Sequence, residues 1–231
     1  AARRGHVAVQ RGDFTEALER IVLGAERKIV LSEDDRRRIA YHESGHAIVA
    51  MLTPGADAVR KVSIIPRGMS LGVTLSSPED ERFNYTEDHL RGRIKVALGG
   101  RAAEEVVFGD VTTGAESDIQ QVTQIARHMV GRWGMSDAVG PIAVVPAEAQ
   151  GPLLPGVDGT SEATHELVDR EVRTLVDDAL DGARRLIETN RERLESLAAA
   201  LLEHETLDEQ AAYAAAGIER PLALEPEAPA R

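Results

Sequence analysis

The chain has 231 residues, of which 42% are hydrophobic and 29% charged, a composition typical of a folded soluble protein rather than a disordered or membrane-embedded one. The formal net charge of −12 at pH 7 argues against nucleic acid as the main partner. Cysteine is absent from the sequence, which excludes disulfides, thiolate metal ligands and cysteine nucleophiles.

The first predicted elements are two helices and a small β element. The segment "GDFTEALERIVLG" (12–24) has apolar residues at helical spacing and a glycine stop, which predicts a short amphipathic helix in an N-terminal extension. Ser32, followed by three acidic residues, predicts the start of a second helix that continues through "IAYHESGHAIVAML" (39–52). Short β-branched runs at 59–66 and 71–75 predict a pair of strands.

The rest of the chain is predicted to be helical. One helix is expected from Thr86 to Gly109 and another from about Asp118 to Trp133, with Trp133 in phase with apolar residues that pack in a core or an interface. The glycine- and proline-containing segment 134–160 predicts a loop, and two long amphipathic helices and a short one follow it. The predicted fold class is mainly α with a small β hairpin or sheet.

The stretch "HESGH" (42–46) carries the main chemical signal. His42 and His46 are four residues apart, so on a helix their imidazoles share one face and can meet at one point. Nitrogen ligands at this spacing suit Zn²⁺, and Glu43 is placed to take a proton from a water on the metal. The alternative is a polar stripe on a half-buried helix, but the apolar flank would then bury groups that need partners. Gly45 costs the helix about 1 kcal/mol relative to Ala, which the close approach of another segment would explain.

A catalytic zinc site takes three protein ligands and keeps a fourth position open for water. Because cysteine is absent, a carboxylate or another histidine must supply the third ligand. Spacing alone does not choose among the candidates, which are Glu104, Glu105, Glu116, Asp118, His89 and His128.

Several segments together resemble the protease domain of the FtsH family of membrane-anchored, ATP-dependent zinc metalloproteases. They occur in the family's order over most of residues 30–208 and read "YHESGHA", "VSIIPRG" with "LGVT", "LGGRAAEEVVFG", "VTTGAESDI", "RHMVGRWGMSDAVGPIA", "LVDREVRTLV" and "LAAALLEHETL". The resemblance implies one Zn²⁺ per chain, held by His42, His46 and Asp118, with Glu43 as the catalytic residue. Glu104 and Glu105 would then support the structure or the ligands, and the β hairpin would lie beside the active site.

The resemblance also implies a domain organisation. Residues 1–30 would be the end of an ATPase (AAA) module with its linker, 31–217 the zinc metalloprotease domain, and 218–231 a disordered tail. The sequence has no GxxxxGK[ST] motif, so ATP would bind only an ATPase module that this chain lacks. The apolar runs are too short to cross a bilayer. We therefore expect a soluble fragment of a parent protein that other segments anchor at the cytoplasmic side of the cell membrane.

The predicted function is that of a zinc-dependent endopeptidase domain in a homo-hexameric, ATP-dependent protease that degrades unfolded or membrane proteins. An extended peptide could add as a strand to the β hairpin, with Val62, Ile64 and Val73 as candidate contacts, or the hairpin could simply cover the core. Two rival functions are a catalytically inactive helical scaffold or assembly module and another zinc hydrolase with the same motif.

Overall fold

A computed structural model describes residues 8–10, 13–14, 17, 20–21, 24–27, 29–68, 70–77, 83–145 and 160–220. These residues form a mainly α fold with a small antiparallel sheet, which confirms the predicted fold class. The predicted helix at 12–24 and the predicted tail at 218–231 lie largely outside the described residues. None of the helices in the described ranges combines the length and the apolar character that a membrane span requires.

The helices and strands of the described residues are numbered here in chain order. The helices are α1 (Glu33–Leu52), α2 (Glu87–Ala97), α3 (Gly99–Phe108), α4 (Glu116–Gly131), α5 (Glu162–Thr189), α6 (Arg191–His204) and α7 (Glu209–Ala216). The strands are β1 (Ala58–Ser63), β2 (Val73–Ser77) and β3 (Thr206–Asp208), and a short 3-10 turn, Thr113–Ala115, precedes α4.

Helix α1 is the central element of the fold. The Ser32 side chain caps its N-terminus by accepting a hydrogen bond from the backbone N–H of Asp35 at 3.1 Å, and acidic side chains in the first turn complement the helix dipole. Its second half is buried on nearly every side, because α3, α6 and β1 all pack against it. Polar residues in this half of the helix are therefore enclosed by the protein.

The sheet has the strand order β2-β1-β3, with both pairs antiparallel. Val62 in the central strand pairs with Thr74 on one side and with Leu207 on the other, and the register between β1 and β2 shifts between Val59 and Lys61. The predicted strand pair is confirmed, and β2 forms one edge of the sheet beside α1.

Two apolar clusters hold the helices together. The first surrounds α1 and includes Ile48, Val49, Leu194 and Leu197, all buried. The second joins α2, α4 and α5, with Ile94 and Met129 completely buried. Because α1 belongs to the first cluster and α4 to the second, the packing of both clusters fixes the position of α4 relative to α1.

One prediction about these elements is wrong, and one strand was missed. The single helix expected from Thr86 to Gly109 breaks at Leu98, where two glycines follow and the backbone of α3 comes into contact with α1. Strand β3 was not predicted, since its three residues are extended only through pairing with β1. Trp133, expected in a core or an interface, is 45% exposed in this chain, and its ring lies against His128.

Candidate metal centre

Helix α1 brings the two motif histidines together. His42 and His46 are one helical turn apart, and their Nε2 atoms lie 3.0 Å from each other. Both side chains are largely buried, with 12% and 11% of their side-chain surface exposed. The predicted convergence of the two imidazoles on one point is therefore present in the fold.

A carboxylate from α4 completes the cluster. Asp118, in the first turn of α4, places Oδ2 at 3.3 Å from His42 Nε2 and at 3.4 Å from His46 Nε2. Zinc with ligands at roughly 2.0–2.1 Å in a tetrahedral arrangement separates its ligand atoms by about 3.3 Å. The three atoms thus have the mutual spacing of three ligands around one such ion. Among the described residues, His42, His46 and Asp118 are the cluster that could hold a metal ion.

The hydrogen-bond partners of the other ring nitrogens define which atoms can bind a metal. His46 Nδ1 lies 2.8 Å from the carbonyl oxygen of Val96, which can only accept, so Nδ1 carries the proton and Nε2 has the lone pair. His42 Nδ1 lies 2.7 Å from Glu104 Oε1 and donates to that carboxylate in the same way. When neither Nε2 atom is protonated, two imidazole lone pairs and one carboxylate oxygen face one another, and a bound cation would neutralise this repulsion.

Glu104 is itself held in place by the segment that leads to α4. Its carboxylate accepts hydrogen bonds from the backbone N–H of Thr112 at 2.7 Å and from the Thr112 hydroxyl at 3.3 Å. Burial would raise the pKa of Glu104, but the hydrogen bonds from His42 and Thr112 outweigh it and lower the pKa. The side chain is 2% exposed, so an ionised acceptor is fixed behind His42.

The protonation of the cluster follows from these contacts. Burial opposes charge on both His42 and Asp118, yet their mutual hydrogen bond and the contact of His42 with Glu104 dominate. The pKa of His42 is raised to about 10, and that of Asp118 is lowered well below its ordinary value. Without a metal, His42 is therefore protonated at neutral pH. This proton supplies the positive charge that a bound cation would supply in the metal-loaded site.

Glu43 is the residue next to His42 and is not one of the three converging groups. It is 7% exposed, and its Oε2 atom accepts a hydrogen bond from the Thr74 hydroxyl at 2.7 Å. Burial raises the pKa of its carboxyl, although the neighbouring His46 and His42 pull the pKa down. A buried carboxylate whose pKa is raised above its ordinary value is suited to accept and release a proton.

Glycines create the space around the ligand atoms. A Cβ on Gly100 would lie 2.5 Å from His42 Nε2 and 2.6 Å from His46 Nε2, closer than any real contact of that kind. The absence of a side chain at this position of α3 leaves the imidazole nitrogens uncovered. Gly100 is thus part of the site although it offers no ligand atom.

The other candidates for the third ligand lie elsewhere. Glu105 pairs with Arg101 and Arg184 on the outer side of α3. Glu116 is exposed and accepts a hydrogen bond from Gln120.

The two histidine candidates also lie elsewhere. His89 approaches the carbonyl oxygen of Gly55, and His128 packs its ring against Trp133. The structure thus brings only Asp118, of the candidates for a third ligand in the described residues, into contact with both histidine Nε2 atoms.

The three candidate peptide-contacting residues differ in their surroundings. Val62 is in the central strand, whose two edges are both paired, and the backbone N–H of Ile64 already bonds the carbonyl of Glu205. Val73 is on β2, which ends the sheet within the described residues. Of the three, Val73 alone is on a strand with an open edge there.

Comparisons with known proteins agree with this arrangement. The family model of peptidase family M41 matches residues 29–214, which is most of the chain. The chain belongs to peptidase family M41. It is 67% identical over 231 residues to "ATP-dependent zinc metalloprotease FtsH 3" of Conexibacter woesei, and this match covers 99% of the chain and 31% of that protein.

Two further curated relatives are also zinc metalloproteases by name. The M41 chain is 56% identical to "ATP-dependent zinc metalloprotease FtsH" of Thermobaculum terrenum, across 91% of the chain and 33% of the relative. It is 47% identical to "ATP-dependent zinc metalloprotease FtsH 4" of Sphaerobacter thermophilus, across 91% of the chain and 32% of the relative. The chain therefore spans about a third of the length of these relatives, and the predicted family resemblance is confirmed.

Sequence reasoning missed three contributors to the site. The carbonyl of Val96 has no side-chain signature, and the contact of Thr74 with Glu43 depends on how β2 packs against α1. Gly100 had a usable signal, since two adjacent glycines inside a helical pattern are costly and call for a packing reason.

Proposed function

We propose that this chain is the zinc-dependent endopeptidase module of an ATP-dependent protease. The observation that carries the proposal is the convergence of His42 Nε2, His46 Nε2 and Asp118 Oδ2 within 3.0–3.4 Å of one another, with the buried Glu43 next to them. The donor set of two neutral imidazoles and one carboxylate, without a thiolate, suits catalytic zinc with an open position. The curated relatives are named as zinc metalloproteases, which supports the same function.

In peptide hydrolysis, one residue of the chain transfers the proton and others hold the metal. A bound Zn²⁺ would supply a Lewis acid that polarises the scissile carbonyl and acidifies water. Glu43 accepts the proton of the attacking water and delivers it to the leaving amine. His42 and His46 keep their Nε2 lone pairs directed at one point because Glu104 and Val96 accept their Nδ1 protons.

The substrate is an unfolded polypeptide that binds in extended form. An extended peptide can add to the edge of β2 at Val73 through backbone hydrogen bonds. Such bonds contact the main chain of the peptide rather than its side chains. The closeness of β2 to the site supports this, because Thr74, the next residue, contacts Glu43. Peptides with methylated backbone amides should bind this edge more weakly than unmodified ones.

The parent protein extends well beyond this chain. Residues 1–30 form the end of an ATPase module with its linker, 31–217 the protease domain, and 218–231 a tail. ATP binds the ATPase module, and separate segments anchor the homo-hexameric parent at the cytoplasmic side of the cell membrane. The lengths of the relatives support a parent longer than this chain, since the chain corresponds to about a third of each, and the rest of this organisation rests on the family resemblance.

The direct experiment is a metal and activity assay on the 231-residue chain. We expect one zinc per chain, hydrolysis of an unstructured peptide, loss of hydrolysis on chelation, and recovery on zinc addition. An inactive scaffold would show no hydrolysis in any of these states. A different zinc hydrolase would bind the metal but leave peptides intact while it cleaved another class of substrate.

A further inference from the structure

A hydrogen bond from Thr74 links the Glu43 carboxylate to the sheet. Thr74 Oγ1 lies 2.7 Å from Glu43 Oε2 and 3.0 Å from the main-chain oxygen of the same residue. A threonine hydroxyl has one proton to donate, and a carbonyl in the middle of an α-helix already accepts from the N–H four residues on. The shorter contact, to the charged oxygen, is therefore the one that takes the hydroxyl proton.

The other carboxylate oxygen of Glu43 lies against a glycine. A Cβ on Gly72 would stand 2.6 Å from Glu43 Oε1 and 2.8 Å from its Cγ. Any larger residue at position 72 would push the carboxylate out of its place. Gly72 and Thr74 therefore flank the Glu43 side chain, one by leaving space and the other by a hydrogen bond.

Both partners of this hydrogen bond are held by well-packed elements. Thr74 pairs with Val62 of β1, which is completely buried and is paired on its other side with Leu207 of β3. Glu43 projects from the buried half of α1, and α1 packs against both β1 and β2. The position of the hydroxyl relative to the carboxylate is thus fixed by the packing of the sheet on the helix.

We propose that Thr74 is a positioning residue for the hydrolytic reaction, whose hydroxyl holds Glu43 Oε2 so that the carboxylate keeps one orientation for proton transfer. This rests on the proposed function, since it assumes that Glu43 exchanges the proton during peptide hydrolysis. Proton transfer depends on a donor and an acceptor within hydrogen-bond reach, so a carboxylate that rotates freely transfers less efficiently. In this proposal Thr74 acts on the reaction through its hydrogen bond to Glu43.

The test compares two substitutions that differ in the hydroxyl. Thr74→Val keeps the β-branched shape but removes the hydrogen-bond donor. We expect kcat to fall about 10- to 100-fold, the loss typical when a residue that hydrogen-bonds an active-site side chain is replaced. KM and zinc content should not change. Thr74→Ser keeps the hydroxyl and should recover most of that loss. Thr174→Val, the same change on the exposed face of α5, should leave kcat at the value of the unmodified chain.

A spectroscopic measurement tests the contact without relying on turnover. In protein labelled with ¹³C at the glutamate carboxyls, the Glu43 resonance is assigned by its loss in Glu43→Gln. Thr74→Val should shift this resonance, and Thr174→Val should not. An unmoved resonance in Thr74→Val, or equal kcat losses in Thr74→Val and Thr74→Ser, would overturn the proposal.

The outcomes also separate this proposal from the function on which it rests. If the unmodified, zinc-loaded chain fails to hydrolyse peptides, the proposed function is wrong and the role of Thr74 is wrong with it. If the unmodified chain hydrolyses peptides and Thr74→Val matches it, the function stands and only the role of Thr74 is wrong.

Discussion

Gly45 of α1 and Gly99 of α3 lie backbone against backbone. A Cβ on Gly45 would stand 2.4 Å from the carbonyl oxygen of Gly99, and a Cβ on Gly99 would stand 2.7 Å from the carbonyl oxygen of Gly45. This contact confirms the expectation that Gly45 marks the close approach of another segment. It also allows Glu104, five residues further along α3, to reach His42.

Replacing Gly45 with Ala should therefore destabilise the fold and weaken the site. Overpacking of this kind costs about 1–3 kcal/mol, which exceeds the roughly 1 kcal/mol that Ala gains over Gly in a helix. Denaturant unfolding of the metal-free chain measures the loss, and a chelator competition measures the weaker zinc binding. Gly92→Ala in α2 is the matched control, because among the described residues its Cβ would meet only Thr53 Cγ2, at an ordinary 3.4 Å. Equal stabilities of the two variants would contradict the role assigned to the glycine contact.

Glu43→Gln should keep zinc and lose turnover. The amide retains the size of the side chain but cannot accept the proton, so kcat should fall about 10²- to 10⁴-fold. Elemental analysis and peptide hydrolysis on the same sample give both quantities, and Glu203→Gln, on α6, serves as the surface control. Loss of zinc from Glu43→Gln would mean that Glu43 holds the metal instead of the proton.

Asp118 and Glu104 can be distinguished as ligand and support. Asp118→Asn removes a charged ligand and should abolish stoichiometric zinc at concentrations where Glu104→Gln still binds it. Glu104→Gln keeps an acceptor for His42 Nδ1, so its zinc affinity should fall about 10- to 100-fold only. Zinc titration against a chromogenic chelator ranks the two variants. The reverse ranking would assign the third ligand to Glu104.

Zinc binding should release about one proton per chain at pH 7.5. The pKa of His42 in the metal-free cluster is raised to about 10, so the metal must displace a bound proton. Zinc affinity should accordingly rise with pH until about pH 10. Calorimetry in two buffers of different ionisation enthalpy counts the released protons, and an enthalpy independent of the buffer would contradict the raised pKa.

The same proton makes the stability of the metal-free fold depend on pH. A histidine whose folded pKa lies above its ordinary value contributes stability that is fully present below about pH 6.5. That contribution is lost as the pH rises through about 10, and it should be absent in His42→Gln. A thermal unfolding series across this window measures the difference between the two proteins.

The sequence alone predicted that His42 and His46 converge, whereas Asp118 was selected as their partner only through family resemblance. The helix alone fixes the geometry of His42 and His46, so their spacing is enough to predict that they converge. Asp118 follows His42 by 76 residues, and its approach depends on the packing of α4 against the rest of the fold. Spacing could not have selected Asp118 over Glu104, and the family motif did.

The fold shows the same division between local and distant effects. Helices with a clear cap, such as α1 after Ser32, begin where the sequence indicates. The break at Leu98 was not predictable from periodicity, because the apolar spacing continues across it and the contact with Gly45 decides where α3 starts. Strand β3 likewise owes its conformation to β1.

The most direct measurement is a crystal structure of the zinc-loaded chain with anomalous scattering recorded at the zinc absorption edge. We predict one strong anomalous peak per chain, at roughly 2.0–2.2 Å from His42 Nε2, His46 Nε2 and Asp118 Oδ2. A peak held by other side chains, or fully loaded protein with no peak between these three atoms, would contradict the account.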